Sequence, residues 1–323
     1  MTPLFDPRPW GGLDLSPIYD RRFKEKIGES WLTGDNCKVQ NGPLAGKSLG
    51  ELALEYQRYL VGHAAPNPER FPLLAKFLFP HEKLSVQVHP DDETARGIGE
   101  PWGKTECWYV AHAQPGAEIG LGLKPGVTRQ QFERSIYDNR AEDLLNWIKV
   151  FAGDMIYVAG GTVHTLGPGS IIVETQQQSD TTFRLYDYGR PRALHLDHGL
   201  RAIKERVASG KVKRPPSVKL DQNGNHIQPL VASAFFVVEK FELSSEQQFD
   251  APRGKSSAQI LVATDGAAAL HLHQHAPINF AKGDAVVVPA CIAQFKLQPR
   301  GKITFLKSYV PGADVRDPEL LSN

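Results

Sequence analysis

The chain has 323 residues, a length that predicts about two domains, each able to bury its own core. Its 37 Lys and Arg balance 36 Asp and Glu, a net charge of +1, so electrostatics give no reason to expect a nucleic-acid or acidic-membrane partner. Three scattered cysteines, Cys37, Cys107 and Cys291, form no C-x-x-C pair and fit a reducing cytoplasm. The start, "MTPLFDPRPWGG", lacks a signal peptide's apolar core, and no run of ~18 apolar residues occurs to span a membrane.

Helix signals are few. Ser48 with Glu51 three residues on is a capping box ahead of "LGELALEYQRYLVG". Thr128 with Gln131 predicts a second helix, "RQQFERSIY", and Asn139 with Glu142 a third, "AEDLLNW". Asp197 is expected to cap "HGLRAIKERVAS". The rest reads as short strands between Gly and Pro turns, among them "KLSVQVHP", "TECWYVAHA", "DMIYVAG", "SIIVETQ", "TTFRLYDY", "FFVVEKFEL", "AQILVATDG", "DAVVVPA" and "KITFLKSYV". Many short strands with turns between them predict a mainly β sandwich or barrel architecture.

The polar, proline-bearing stretch 209–225 is the expected linker. It divides the chain into 1–208, a catalytic domain with peripheral helices, and 226–323, a second domain. An internal repeat points the same way. "GDMIYVAGGTVHT" from Gly153 and "GDAVVVPACIAQF" from Gly283 align without a gap. The twelfth position is His164 in the first copy and Gln294 in the second, so a metal-capable residue stands in one half alone. The second domain is therefore expected to be metal-free.

Chemistry gathers in the first half. In "LSVQVHPDDETARG", Gln87 and His89 are two residues apart and share a strand face. Buried there, they need partners, since an unpaired polar group costs about 1–3 kcal/mol. Glu106 opens the next strand, with Lys104 two before it on the same face, and His164 ends the turn "GTVHT". Two imidazoles, a carboxylate and an amide oxygen make a mixed N/O shell that suits Zn²⁺, and nothing in the set is soft sulfur. Cys107 points to the other face and reads as a small buried hydrophobe. Taken singly, each of these residues is as well explained by ordinary packing; the pairing Q-x-H before Pro-Asp-Asp with K-x-E downstream carries the signal. After the "GPG" turn the chain is expected to return as a hairpin strand that sets Glu174 opposite the approach to His164. Asp180 and Arg184 follow, a set suited to proton transfer beside a developing oxyanion. Glu174 is the best candidate base, on the expectation that a shielded cleft raises its pKa toward working pH. The histidines of "HLHQH", His271, His273 and His275, are predicted to share a strand face and to be a decoy, because no carboxylate follows at ligand spacing.

The blocks "LSVQVHPDDETA", "GKTECWYV", "GTVHTLGPGSIIVETQQQSDTTFRLYDYGR" and "LHLDHGL", with "WGG" and "IGESW" nearer the start, resemble the type I phosphomannose isomerase family. The resemblance covers most of residues 1–205 and thins after 210. It implies a pair of cupin-type jelly-roll barrels with a few peripheral helices. It also implies one Zn²⁺ per chain, held by Gln87, His89, Glu106 and His164, and interconversion of mannose 6-phosphate and fructose 6-phosphate through a cis-enediol. Carried across, the active-site lysine is Lys104, the acids Glu174 and Asp180, and the arginine Arg184. Ser85 and Lys76 fall near the sugar phosphate. Relatives often have proline where this chain has Thr105, a position pointing away from the metal. The rival readings are an inactive sugar-binding cupin and another metal-dependent cupin enzyme. Oligomeric state and the phosphate-holding residues stay open.

Overall fold

A computed structural model describes residues 1–250, 256–312, 315 and 318–321. The chain is mainly β, with few, short helices at the periphery. A seven-stranded sheet runs in the order Leu4–Leu15, Tyr19–Trp31, Leu73–Leu78, Ser170–Gln177, Glu106–Ala113, Met155–Val158, Gly210–Lys211. A five-stranded sheet runs Phe183–Tyr186, Val86–Val88, His164–Leu166, Glu118–Leu123, Leu145–Lys149. An eight-stranded sheet forms the C-terminal part, its spine the long strands Gln259–His271 and Gln294–Tyr309. All pairings between these strands are antiparallel. The strand orders are open paths, so the expected barrels are jelly-roll sheets that do not close into rings.

The seven-stranded sheet is buried on both faces. On one face Trp108, Val110, Ile156, Val158 and Ile172 pack with Ile119, Leu121 and Leu166 of the five-stranded sheet. On the other, Phe77, Cys107, Tyr109, Tyr157 and Val173 pack with Leu230, Val238, Ile260 and Leu306 of the eight-stranded sheet and with Phe236 in a turn beside it. Strict alternation explains both faces at once: Cys107, next to Glu106, turns into the inter-sheet core. The C-terminal sheet curls around its own phenylalanines, where Phe241–Phe305 and Phe249–Phe295 stack at 5.2 and 5.0 Å, pairs worth about 0.5–1.5 kcal/mol beyond their buried area.

The repeat has a geometric counterpart. Gly153 and Gly283 both sit at positive φ. Asp154 then accepts the Phe151 N–H at 2.9 Å, and Asp284 the Ala281 N–H at 2.9 Å. His164 and Gln294 each open the strand after the turn.

Several elements differ from expectation. The helices 49–56 and 129–137 form behind their capping boxes. "AEDLLNW" instead makes one 3₁₀ turn, Ala141–Leu144, then the strand Leu145–Lys149 on Glu118–Leu123; an open sheet edge with a pocket for Leu145 overrides local helix propensity. The helix near Asp197 is Leu196–Ala202, with His195 at its N-cap and Asp197 in its first turn. The long hairpin Leu4–Leu15 and Tyr19–Trp31 escapes a sequence reading because Pro7 and Pro9 demote the first strand. It tolerates them as the sheet's edge strand, with register shifts at Asp6/Pro7 and Pro7/Gly12. Within 209–225, Gly210–Lys211 joins the seven-stranded sheet and Val218–Lys219 the eight-stranded one.

Candidate metal centre and its cavity

Three loops and strand ends bring the donors together. Gln87 lies directly opposite His164 in the five-stranded sheet. His89 follows that strand, and Glu106 opens its strand in the facing sheet. The closeness depends on two glycines: a Cβ on Gly103 or Gly160 would lie 2.5 or 2.6 Å from the backbone of Asp91, which only glycine avoids. Two backbone bonds then tie the loops, Gly161 N–H to the His89 carbonyl at 2.7 Å and Lys104 N–H to that of Pro90 at 2.9 Å.

His89, Glu106 and His164 offer ligand atoms that all lie within 4.8 Å of one another, the one such cluster among the described residues. The imidazoles are oriented from behind. His89 Nδ1 is 3.0 Å from the Thr181 carbonyl and His164 Nδ1 is 2.9 Å from that of Thr162. A carbonyl oxygen only accepts, so both Nδ1 atoms carry the proton and both Nε2 atoms present a lone pair. Those Nε2 atoms lie 3.5 and 3.4 Å from the Glu106 carboxylate. Burial holds both histidines neutral, His89 well below its ordinary pKa and His164 at about 4. Burial likewise pushes Glu106 well up, and neither of its oxygens has a hydrogen-bond partner. Two Nε2 atoms turned toward a buried carboxylate without a hydrogen bond of its own fit a divalent cation. The Gln87 amide sits beside them with its nitrogen 3.3 Å from His164 Nε2 and its oxygen 3.3 Å from Ser85 Oγ; a half-turn of the amide would bring the oxygen to the cluster.

Above this floor opens a cavity of about 250 Å³. Ser85, Gln87, Lys104, Glu174, Asp180 and Arg184 line it, and Lys76 forms part of its wall. Lys104 Nζ lies 3.0 Å from His89 Nε2 and 3.3 Å from Glu106. A larger cleft, about 410 Å³, opens beside Arg70, Trp102 and Phe235 and contains none of the three donors; convergent, perturbed ionisable groups, not size, locate the site.

Glu174 reaches the cavity by a route the sequence did not indicate. No hairpin joins it to His164: the Gly167–Gly169 turn carries the chain from one sheet to the other, and Glu174 pairs in register with Lys76 and Trp108. Its carboxylate accepts the Trp108 indole N–H at 2.9 Å and lies 3.0 Å from Lys76 Nζ. Lys76 also contacts Glu29 at 3.2 Å. Burial alone would raise Glu174, but the charges of Lys76 and Lys104 pull it down to about 2. The expected upward shift is thus reversed by a buried lysine. Lys76, clasped by two carboxylates, has little charge left for a phosphate.

Residues overlooked in the sequence complete the wall. Arg192 is bidentate to the buried Asp187 at 2.7 and 2.7 Å, and Arg8 is held by Glu29 at 3.0 Å and Asp6 at 2.7 Å. Both guanidiniums line the cavity beside Arg184, whose Nε is buried without a hydrogen-bond partner. Trp108 was legible, being two residues beyond Glu106 on the same strand face; Arg8 and Arg192 lie in irregular or bulged chain with no such period.

The His triplet lies elsewhere. The strand ends at His271, and His273 and His275 sit exposed on the turn beyond, so the three do not share a strand face. No helix among the described residues is long and apolar enough to cross a membrane.

The chain is similar to proteins named as isomerases. The phosphomannose isomerase type I catalytic domain matches residues 19–101. Mannose-6-phosphate isomerase ManA of Bacillus subtilis is 35% identical over 92% of this chain and 94% of its own. The mannose-6-phosphate isomerase of Streptococcus mutans is 35% identical over 89% of this chain and 90% of its own. The crystal structure of a Bacillus subtilis mannose 6-phosphate isomerase superposes with a TM-score of 0.83 at 32% identity, covering 95% of this chain and 98% of that one. A phosphomannose isomerase variant of Salmonella typhimurium, at 15% identity and TM-score 0.74 over 96% and 98% of the two chains, shares the fold. The chain belongs to the type I phosphomannose isomerase family of aldose–ketose isomerases.

Proposed function

We propose that the chain interconverts D-mannose 6-phosphate and D-fructose 6-phosphate through a cis-enediol, with one Zn²⁺ held by His89, Glu106, His164 and the Gln87 amide oxygen. The observation that carries this is the convergence of two Nε2 atoms on a buried carboxylate that lacks a hydrogen bond and is faced by Lys104, beneath a polar cavity. The all-N/O donor set is the support for zinc. Bound there, the ion would supply Lewis acidity to the sugar's C1 and C2 oxygens.

The chain's own residues do the rest. Glu174 is the base that moves a proton between C2 and C1; its low pKa keeps it ionised, and Trp108 and Lys76 fix its direction. A carboxylate held so low is a weak base, which keeps Lys104, buried beside His89, as the second candidate proton carrier. Lys104 and Arg184 set positive charge beside the developing enediolate. Asp180, exposed at the cavity mouth, is assigned with the catalytic set. For the phosphate we assign Ser85 and Arg184 and add Arg192: two carboxylates face the single charge of Lys76, whereas the one carboxylate of Asp187 is shared by Arg184, Arg190 and Arg192 and leaves positive charge over. Residues 1–208 form the catalytic domain, 209–225 a linker and 226–323 a metal-free second domain, where Gln294 is exposed and donates to Asp250 at 2.8 Å. Three free cysteines fit a cytoplasmic location.

The test is a coupled assay following fructose 6-phosphate formation from mannose 6-phosphate, with chelator and after restoring Zn²⁺. Turnover that stops with chelator and returns with zinc is expected. No turnover with any divalent metal restored would favour the sugar-binding cupin or another metal-dependent cupin enzyme, and turnover restored by Fe²⁺ but not Zn²⁺ would keep the isomerase and overturn the zinc.

A further inference from the structure

Behind the donors, on the side away from the sugar cavity, one carboxylate and one amide join three segments. The Asp92 Oδ1 atom accepts the Gly103 N–H at 2.8 Å and the Gln177 side-chain N–H at 3.0 Å. The Gln177 side-chain oxygen accepts the Thr105 N–H at 2.8 Å, while the Gln177 backbone N–H donates to the Thr105 carbonyl at 3.1 Å. The residues so gripped, Gly103 and Thr105, flank Lys104, and Glu106 follows directly. Asp92 opens the helix Asp92–Gly97 three residues beyond His89, and Gln177 ends the strand that carries Glu174. A single chain of hydrogen bonds therefore spans the segments bearing His89, Lys104 with Glu106, and Glu174.

We propose that Asp92 and Gln177 are positioning residues that hold the Gly103–Thr105 segment so that Lys104 and Glu106 face the imidazoles. Neither lines the sugar cavity or belongs to the donor cluster; both border the larger cleft, and they reach the donors through the residues they hold. Residues 103–105 precede the strand and have no ladder of their own to fix them. Without the two side chains, Gly103 and Thr105 would lose the acceptors for their N–H groups, and two backbone bonds, Lys104 N–H to Pro90 and Gln177 N–H to Thr105, would be left to hold the carboxylate and ammonium on either side of Thr105. Outer partners of this kind govern how well ligands are preorganised, and their loss typically weakens metal binding about ten- to hundredfold. The proposal rests on the metal-holding reading of the site.

The test measures Zn²⁺ affinity of the full chain by competition with a chromophoric chelator, beside kcat, KM and the thermal midpoint. The wild type comes first: if it binds no metal, the reading of the site fails, and this proposal with it. Gln177→Glu keeps an acceptor for Thr105 but sets a second carboxylate against Asp92. It should weaken zinc binding about ten- to hundredfold and lower kcat, with KM little changed. A merely structural role would lower the thermal midpoint and leave metal affinity alone. Wild-type zinc affinity and kcat in Gln177→Glu would overturn the proposal. Should the charged variant fail to fold, Gln177→Met, which keeps the length and loses both side-chain bonds, carries the same expectation, and wild-type affinity there would overturn it.

Discussion

His89 and His164 face one another with ring centroids 4.7 Å apart, and each ring is pinned at Nδ1 by a backbone carbonyl. Glu106 lies in reach of both Nε2 atoms. The two carbonyls hold the rings with their Nε2 atoms toward Glu106. His89→Ala, Glu106→Ala and His164→Ala should each cut turnover by several orders of magnitude and lower bound zinc. The fold should persist, because the apolar clusters that join the sheets do not include these residues. Elemental analysis and far-ultraviolet circular dichroism on the same samples check both halves of this; a variant that stays fully active without bound metal would defeat the zinc mechanism.

Lys76 supports a prediction of the opposite kind, about stability. It is buried between Glu29 and Glu174. Both carboxylates have pKa values below their ordinary range, Glu174 at about 2. Burial opposes this in each case, and the neighbouring cations overcome it. A group whose folded pKa is depressed stabilises the fold above its unfolded pKa and loses that contribution as pH falls toward the folded value. The wild type should therefore lose stability between about pH 4.5 and 2. Lys76→Met leaves Glu29 with Arg8 alone and Glu174 without its nearest cation, and should cost up to about 3–5 kcal/mol at pH 7. The deficit should shrink at pH 3, where the variant's carboxylates take up protons. Urea unfolding at the two pH values checks it, and an equal deficit at both would show that lost packing, not charge, is the cause.

The metal donors were legible in the sequence because period-two spacing puts Gln87 with His89, and Lys104 with Glu106, on common faces of extended chain. The environment of Glu174 was not. Whether burial raises or lowers a carboxylate depends on which cation shares the burial, and Lys76 lies almost a hundred residues away, brought opposite Glu174 only by strand register. For the same reason the N-terminal hairpin was hidden: its prolines argue against a strand until the strand is known to lie at an edge. The repeat was legible because Gly-Asp is read twice and serves the same turn twice, at Asp154 and Asp284.

His271, His273 and His275 provide a control. They end a strand and occupy an exposed turn, away from the donor cluster. Changing all three to Ala should leave zinc content and turnover intact and shift stability by no more than about 0.5 kcal/mol per site. Loss of stoichiometric zinc in the triple variant would move the metal site to the C-terminal sheet.

Glu174→Gln addresses the reaction itself. The amide keeps the shape and can still accept the Trp108 N–H, but it cannot take a proton and no longer offsets Lys76. Turnover should fall severely, by about 10²–10⁴-fold if Glu174 is the general base, while zinc content holds, because Glu174 is not among the three donors. Near-normal turnover would shift the proton to Lys104. A second measurement separates routes. In an enediol mechanism the migrating proton rests on a protein group, where it can exchange with solvent; in a hydride shift it cannot. In heavy water the wild type should therefore place deuterium at C1 of fructose 6-phosphate. The share per turnover should be small, because Glu174 is 3% exposed and shielded from water, so the measurement should follow many turnovers at equilibrium, where even slow exchange accumulates. Deuterium that never enters C1 over that span would exclude proton transfer through any exchangeable base, Glu174 and Lys104 alike.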